Sequence, residues 1–303
     1  MGLGRPGGGR GGPSGGGLAP LGSLHGMTES SAARPGDAAA TSDVDVATAA
    51  AQAGAEVVRT LYGQELGRID KGAGDFATAA DVAAEKAILD VLRAARPADA
   101  VLGEEGGQQG AGAADGVRQW LVDPLCGTLN YAVGTLLVAV NVALRGGAAA
   151  VADPFGGEVF RTDGERAWVR RAGADDVPLT PTAATGLIDV NLDPPFPGAP
   201  GFRAVELLAH PEFGRHFRPR VGSTTLALAW VAAGKRAAYV TDGGDLSGSV
   251  HFAAGIALCR AAGCVVTGID GSPVGEGPGR GDGLVAAADE ETHGLLMSMI
   301  QGG

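Results

Sequence analysis

The run WLVDPLCGTLNYAVG, residues 120–134, ends an apolar stretch on Asp123 and passes through Leu125 and Cys126 into a Gly127-Thr128 turn. An acid delivered this way offers oxygen to a hard cation such as magnesium, which prefers carboxylates and backbone carbonyls. AVLGEEGG repeats the form: a short apolar run closes on Glu104 and Glu105 and then on two glycines. Two strand ends thus carry carboxylates into loops, where α/β folds tend to build their sites. Cys126 is the anomaly, because a soft thiol stands where the loop asks for a second carboxylate.

The elements that must position these acids are legible from periodicity. DVDVATAAAQAGAEVVRTLYGQ, from about Ser42 onward, reads as a first helix. Thr78-Ala79-Ala80-Asp81 has the form of a capping box, and Val82, Ile88, Leu89 and Leu92 follow at helical spacing until Pro97. In TLLVAVNVALR the bulky residues Leu136, Val138, Val140, Val142 and Leu144 alternate, which predicts a strand. Pro, Gly and Asp interrupt every run from about 145 to 220, and LDPPFPGAPGF (192–202) reads as loop. Beyond it, Ser223 or Thr224 is expected to cap a helix running to Gly234, and RAAYVT reads as a strand. A serine-capped helix then stops at Gly263, before the strand CVVTG. Residues 43–180 are expected to form an N-terminal α+β lobe carrying the acidic loops, and 181–303 a C-terminal α/β lobe.

Composition narrows the partners. The chain has 303 residues, 45% of them hydrophobic, enough for a sizeable core. With 23 basic against 34 acidic side chains, the net charge of -11 argues against nucleic acid and for a small molecule or a metal cation. Residues 1–42 are Gly-rich with little to bury and read as a disordered leader, with Met27 as a candidate start. The formal GxGxxG from Gly2 to Gly7 has no strand before it or helix after it, so a dinucleotide site is not expected. No signal-peptide core or run of 18 apolar residues occurs, so neither secretion nor membrane spanning is supported. Three cysteines, Cys126, Cys259 and Cys264, make no disulfide framework and fit a cytoplasmic protein.

Four stretches, GDFATAAD (74–81), GEEGG (103–107), DPLCGTLNY (123–131) and SVHFAAGIALCRAAG (249–263), resemble those of the inositol monophosphatase family in order and spacing. The resemblance implies a layered αβαβα fold, commonly dimeric, and magnesium-dependent hydrolysis of a small phosphate monoester. It implies a first Mg2+ on Glu104, Asp123 and the Leu125 carbonyl, with Asp81 and Thr128 orienting the attacking water. Gly127, Thr128, Ser223 and Asp242 or Asp245 would face the anionic substrate.

The family's second ion uses two further carboxylates, and the matching positions here are Cys126 and His251. Three readings stand open. The ligands have decayed, leaving a silent ligand-binding relative; or Cys126 and His251 hold Zn2+ or another thiophilic metal; or thiol and imidazole act without a second metal, covalently or by acid-base chemistry. The metal reading expects both residues at helix N-termini, where the dipole lowers a thiol pKa and disfavours imidazolium.

Overall fold

The computed structural model describes residues 1–2, 41–64, 67–72, 75–110, 117–192, 203–246, 248–274 and 282–302. Residues 3–40 of the Gly-rich leader, with Met27 and all but Gly2 of the GxGxxG, and residues 193–202 of the 192–202 loop fall outside them.

Helix α1 (Asp43–Leu61) starts where expected: Ser42 accepts a hydrogen bond from the Asp45 N–H, and Asp43 and Asp45 place negative charge in its first turn. Strands β1 (Arg68–Gly72) and β2 (Asp75–Thr78) pair antiparallel and lead into α2 (Ala79–Ala95). Its predicted capping box forms: Asp81 accepts from the Thr78 N–H at 2.7 Å, and Thr78 Oγ1 from the Ala80 N–H at 3.1 Å.

The first sheet follows. It contains β3 (Ala100–Gly103), β4 (Gly107–Gln109) and β5 (Gln119–Cys126), then, after the short helix α3 (Thr128–Ala132), β6 (Ala139–Leu144), β7 (Ala149–Asp153), β8 (Glu158–Thr162), β9 (Ala167–Arg171) and β10 (Val177–Pro178). Its order is β10-β9-β8-β7-β6-β5-β3-β4, an antiparallel meander joined to one parallel pair, β3 with β5. The second sheet is built from β11 (Leu187–Asn191), α4 (Ala204–Ala209), α5 (Phe213–His216), β12 (Arg218–Val221), α6 (Leu226–Ala232), β13 (Ala238–Asp245), α7 (Ala253–Ala262), β14 (Val265–Thr267), β15 (Asp282–Ala287) and α8 (Glu290–Gln301). The strands run β12-β11-β13-β15-β14.

Three apolar clusters stack these elements into αβαβα layers. Val46, Val58, Ile88 and Leu92 of α1 and α2 meet Trp120, Val122, Val140 and Val142 on one face of the first sheet. Leu121, Val151 and Phe160 on its other face meet α6 and α7, which also cover Tyr239 and Leu284 of the second sheet. The far face of the second sheet, with Ile188, Val190 and Val240, packs on α4 and α8.

Three expectations are corrected. The strand read over 136–144 begins only at Ala139, and all six of its residues are buried, because helices cover both faces of the sheet; Leu136 and Leu137 precede it exposed. Neither Ser223 nor Thr224 caps α6, which starts after Thr225; Thr224 Oγ1 accepts instead from the Leu226 N–H at 3.2 Å. Helix α7 starts after Phe252 with no serine cap, Ser249 accepting from the His251 N–H at 3.3 Å. The interrupted stretch after 145 holds most of the meander, whose short strands carry too few residues to show a period.

Candidate functional site

Asp123 lies inside β5 rather than in a loop, at the point where the pairing with β6 slips between Asp123 and Cys126. Such a bulge re-aims side chains at the end of a strand. Asp123 is fully buried. Its Oδ1 accepts from the Leu125 N–H at 3.1 Å, and its Oδ2 lies 2.7 Å from His251 Nδ1 and 3.5 Å from Asn141 Nδ2. Asn141, on β6 opposite Asp123, also reaches Thr225 Oγ1 at 2.9 Å.

Glu104 follows β3, the parallel neighbour of β5, and its N–H donates to the Val122 carbonyl at 3.1 Å. Ligand atoms of Glu104, Asp123 and His251 all lie within 4.8 Å of one another, the one group of three or more such residues among those described. Two carboxylates suit a hard cation, and an imidazole suits a borderline one. The GEEGG turn is held from below by Glu85, a buried acid on α2. It accepts from the Glu105 N–H at 2.8 Å and the Gly106 N–H at 2.7 Å. Sequence reasoning missed Glu85. An acid on the inward face of an amphipathic helix, beside Ala84 and Ile88, was the available signal.

Asp81 does two jobs with its two oxygens. Oδ2 completes the α2 cap, while Oδ1 lies 3.0 Å from the Thr128 hydroxyl, which is also 3.1 Å from the Leu125 carbonyl. Burial raises the Asp81 pKa against the opposing effect of these hydrogen bonds. Gly127 has φ +97°, and a Cβ there would come within 2.8 Å of the Leu137 carbonyl oxygen, so glycine is required at this turn. Asn130 Nδ2 binds the carbonyls of Leu137 at 2.9 Å and Ser223 at 2.7 Å, tying the turn to the start of α6. Tyr131 donates its hydroxyl to the Val58 carbonyl at 2.8 Å, so both residues support the turn and the short helix α3.

Cys126 does not behave as anticipated. It ends a strand, before a five-residue helix. Its sulfur accepts from the Thr225 N–H at 3.4 Å, and among the described residues it joins no potential metal-binding group. Although the residue as a whole is only partly covered, burial of the thiol, with the negative charge of Asp123 second, pushes its pKa well above the ordinary value. Sulfur enclosed beside acids outweighs whatever so short a helix supplies. Asp242 is also engaged elsewhere, accepting from the Ala204 N–H and pairing with Arg203 at 3.2 Å. Ser223 is half-buried, and the Asp245 side chain lies outside the described structure.

The sequence pattern of the inositol monophosphatase family matches residues 40–302. The chain belongs to the inositol monophosphatase family. A Caulobacter vibrioides inositol-1-monophosphatase is 31% identical over 261 residues, covering 78% of this chain and 91% of the relative. The Nus factor SuhB of Pseudomonas aeruginosa is 32% identical, over 74% of this chain and 84% of that one. Among solved structures, the extragenic suppressor protein suhB of Bartonella henselae superposes with a TM-score of 0.69 at 26% identity, covering 86% of this chain and 98% of that one. Among the described residues, no helix is long and apolar enough to cross a membrane.

Proposed function

We propose that this member of the inositol monophosphatase family hydrolyses a small phosphorylated polyol or sugar with one hard cation, and that His251 serves the departing oxygen. The observation that carries this reading is His251 Nδ1 at 2.7 Å from Asp123 Oδ2, within the Glu104–Asp123–His251 group. Glu104, Asp123 and the Leu125 carbonyl would hold Mg2+, and their oxygen donors fit it. The ion would supply positive charge against the phosphate and lower the pKa of a nearby water. Thr128 and Asp81 orient that water: the hydroxyl is fixed at 3.0 Å from a buried carboxylate whose raised pKa makes it a better proton acceptor. Asp123 holds the imidazole through Nδ1, which leaves Nε2 as the atom to give a proton to the leaving alkoxide. Against a Cys-containing Zn2+ centre stands the Cys126 sulfur, which is turned to the Thr225 N–H.

The same group of three supports a second reading, in which the imidazole is itself a ligand for Mn2+ or Zn2+. His251→Gln separates the two. As a proton donor, its loss lowers turnover of alkyl phosphates by about 10²–10⁴-fold, spares p-nitrophenyl phosphate, whose leaving group needs no proton, and leaves cation affinity intact. As a ligand, its loss weakens cation binding and slows both esters alike. No turnover of any phosphate ester with Mg2+, Mn2+ or Zn2+ would leave a silent ligand-binding relative. We further propose a cytoplasmic homodimer, on the family likeness, which light scattering of the purified chain would test for assembly.

A further inference from the structure

Two guanidinium groups line one cavity whose described walls carry no carboxylate. Arg145 follows β6 at the hairpin to β7, and Arg260 stands near the end of α7; together with Leu121, Ala143, Gly248 and Ile256 they bound a space of about 250 Å³. Arg145 is aimed by a neutral partner: its Nε and Nη2 lie 3.1 and 3.0 Å from Gln119 Oε1. Gln119 is itself buried and donates through Nε2 to Gln108 Oε1 at 2.7 Å. Arg260 is likewise held by a neutral acceptor, the Val274 carbonyl.

Most of the other described arginines are neutralised, although Arg93, Arg218 and Arg220 also hydrogen-bond only to amide or carbonyl oxygens. Arg96 and Arg118 pair with Asp43, Arg161 with Asp45, Arg170 with Asp176, Arg171 with Glu158 and Arg236 with Asp189. Arg145 and Arg260 have no ion pair among the described residues, in a molecule with a net charge of -11 and acids to spare. The acids of the adjoining cavity, Asp43 and Asp163, are already engaged by Arg96 and Arg118 and by Arg166. Amide and carbonyl oxygens orient a guanidinium fork without cancelling its charge, so two uncancelled forks on one cavity favour an anion that can bridge them. Pre-orientation also lowers the entropy lost when such an anion binds. The Gly248 backbone passes so close that a Cβ there would lie 2.9 Å from Arg145 Nη1.

We propose that this cavity, between α7 and the β6–β7 hairpin, binds a small dianion, a phosphate or a dicarboxylate, on Arg145 and Arg260. The assignment is independent of the phosphatase reading. Its test is ¹⁵N NMR of the arginine Nε–H signals of the full chain, kept metal-free by chelator at constant ionic strength, during titration with inorganic phosphate and, separately, malonate. The expected result is a common saturating shift of the Arg145 and Arg260 signals, half-complete at about 1 mM or below. Arg145→Gln and Arg260→Gln each weaken it at least about tenfold, and Arg145→Lys, which keeps charge but not the fork, falls between. Asp123→Asn leaves it unchanged, and unfolding midpoints near wild type establish that the variants are folded. Stronger binding of phosphate identifies a phosphate-bearing ligand, and of malonate a dicarboxylate. Shifts that rise linearly without saturating, persist in Arg260→Gln, or vanish in Asp123→Asn overturn the proposal.

Discussion

Cys126 replaces an expected acid, yet its sulfur accepts from the Thr225 N–H at 3.4 Å at the start of α6. A neutral thiol suits that place, because an anion there would add to the negative charge of Asp123 and Glu104, both of which raise its pKa. Cys126→Ala should therefore leave cation affinity and turnover within about threefold of wild type, less than 1 kcal/mol by the tenfold-per-1.4 rule. Alkylation should be slower than for an exposed thiol at pH 7 and should accelerate only at higher pH, since less thiolate is present at any given pH. Rapid labelling of Cys126 at neutral pH, read by mass spectrometry, would contradict this placement. The substitution at 126 was visible in the sequence, but the direction of its sulfur was not. That direction depends on a backbone N–H 99 residues further along, which no local pattern around DPLCGT reports.

At the scale of elements, α2 supports the site from both ends of its first half. Near its start Asp81 closes the cap and reaches Thr128; one turn on, Glu85 accepts two N–H groups of the Glu104 turn. The capping box made the helix start legible, whereas the use of Glu85 depends on how β3 crosses the helix. Gly103 and Gly106 allow that approach, since a Cβ at either would fall within 2.7 Å of the Glu85 carboxylate. Glu85→Ala removes the charged acceptor of two part-buried N–H groups, at a cost of about 2 kcal/mol. The expected consequences are a melting point lowered by roughly 4–8 °C and weaker cation binding by calorimetry, as Glu104 loses its support. For Asp81 the sign is reversed relative to an ordinary paired acid. Its native pKa lies above the ordinary carboxyl value because burial disfavours the charge. The penalty is full above that native pKa, is relieved as pH falls through it, and is gone below the unfolded value. In chelator, wild type should gain stability relative to Asp81→Asn as pH falls from neutral toward 4. A gap that is flat, or that moves the other way in denaturant titrations, would refute the assignment.

Across the whole molecule, the middle layer joins the two sheets to the site. Helices α6 and α7 pack on both sheets, α6 starts just after Thr225, which meets Cys126, and α7 follows directly on the segment bearing His251. Their alanine-rich sequences announced helices between strands, and the family likeness announced the layers. Composition could not say that the close packing of these two helices sets the reach of His251 to Asp123, because that depends on the contact of one glycine. A Cβ at Gly255 would lie 2.6 Å from Leu228 Cδ1 and 2.7 Å from Leu228 Cβ. The second atom belongs to the stem of the side chain, so rotation of the leucine cannot relieve the contact, and the helices must separate. Gly255→Ala is expected to destabilise the fold by about 1–3 kcal/mol and to move α7 outward, lengthening the 2.7 Å contact between His251 and Asp123. Turnover should then fall while a crystal structure of the variant shows Glu104 and Asp123 in place. A variant with wild-type stability and an unchanged imidazole position would show that the layer yields locally, and that His251 is set by the 248–252 turn alone.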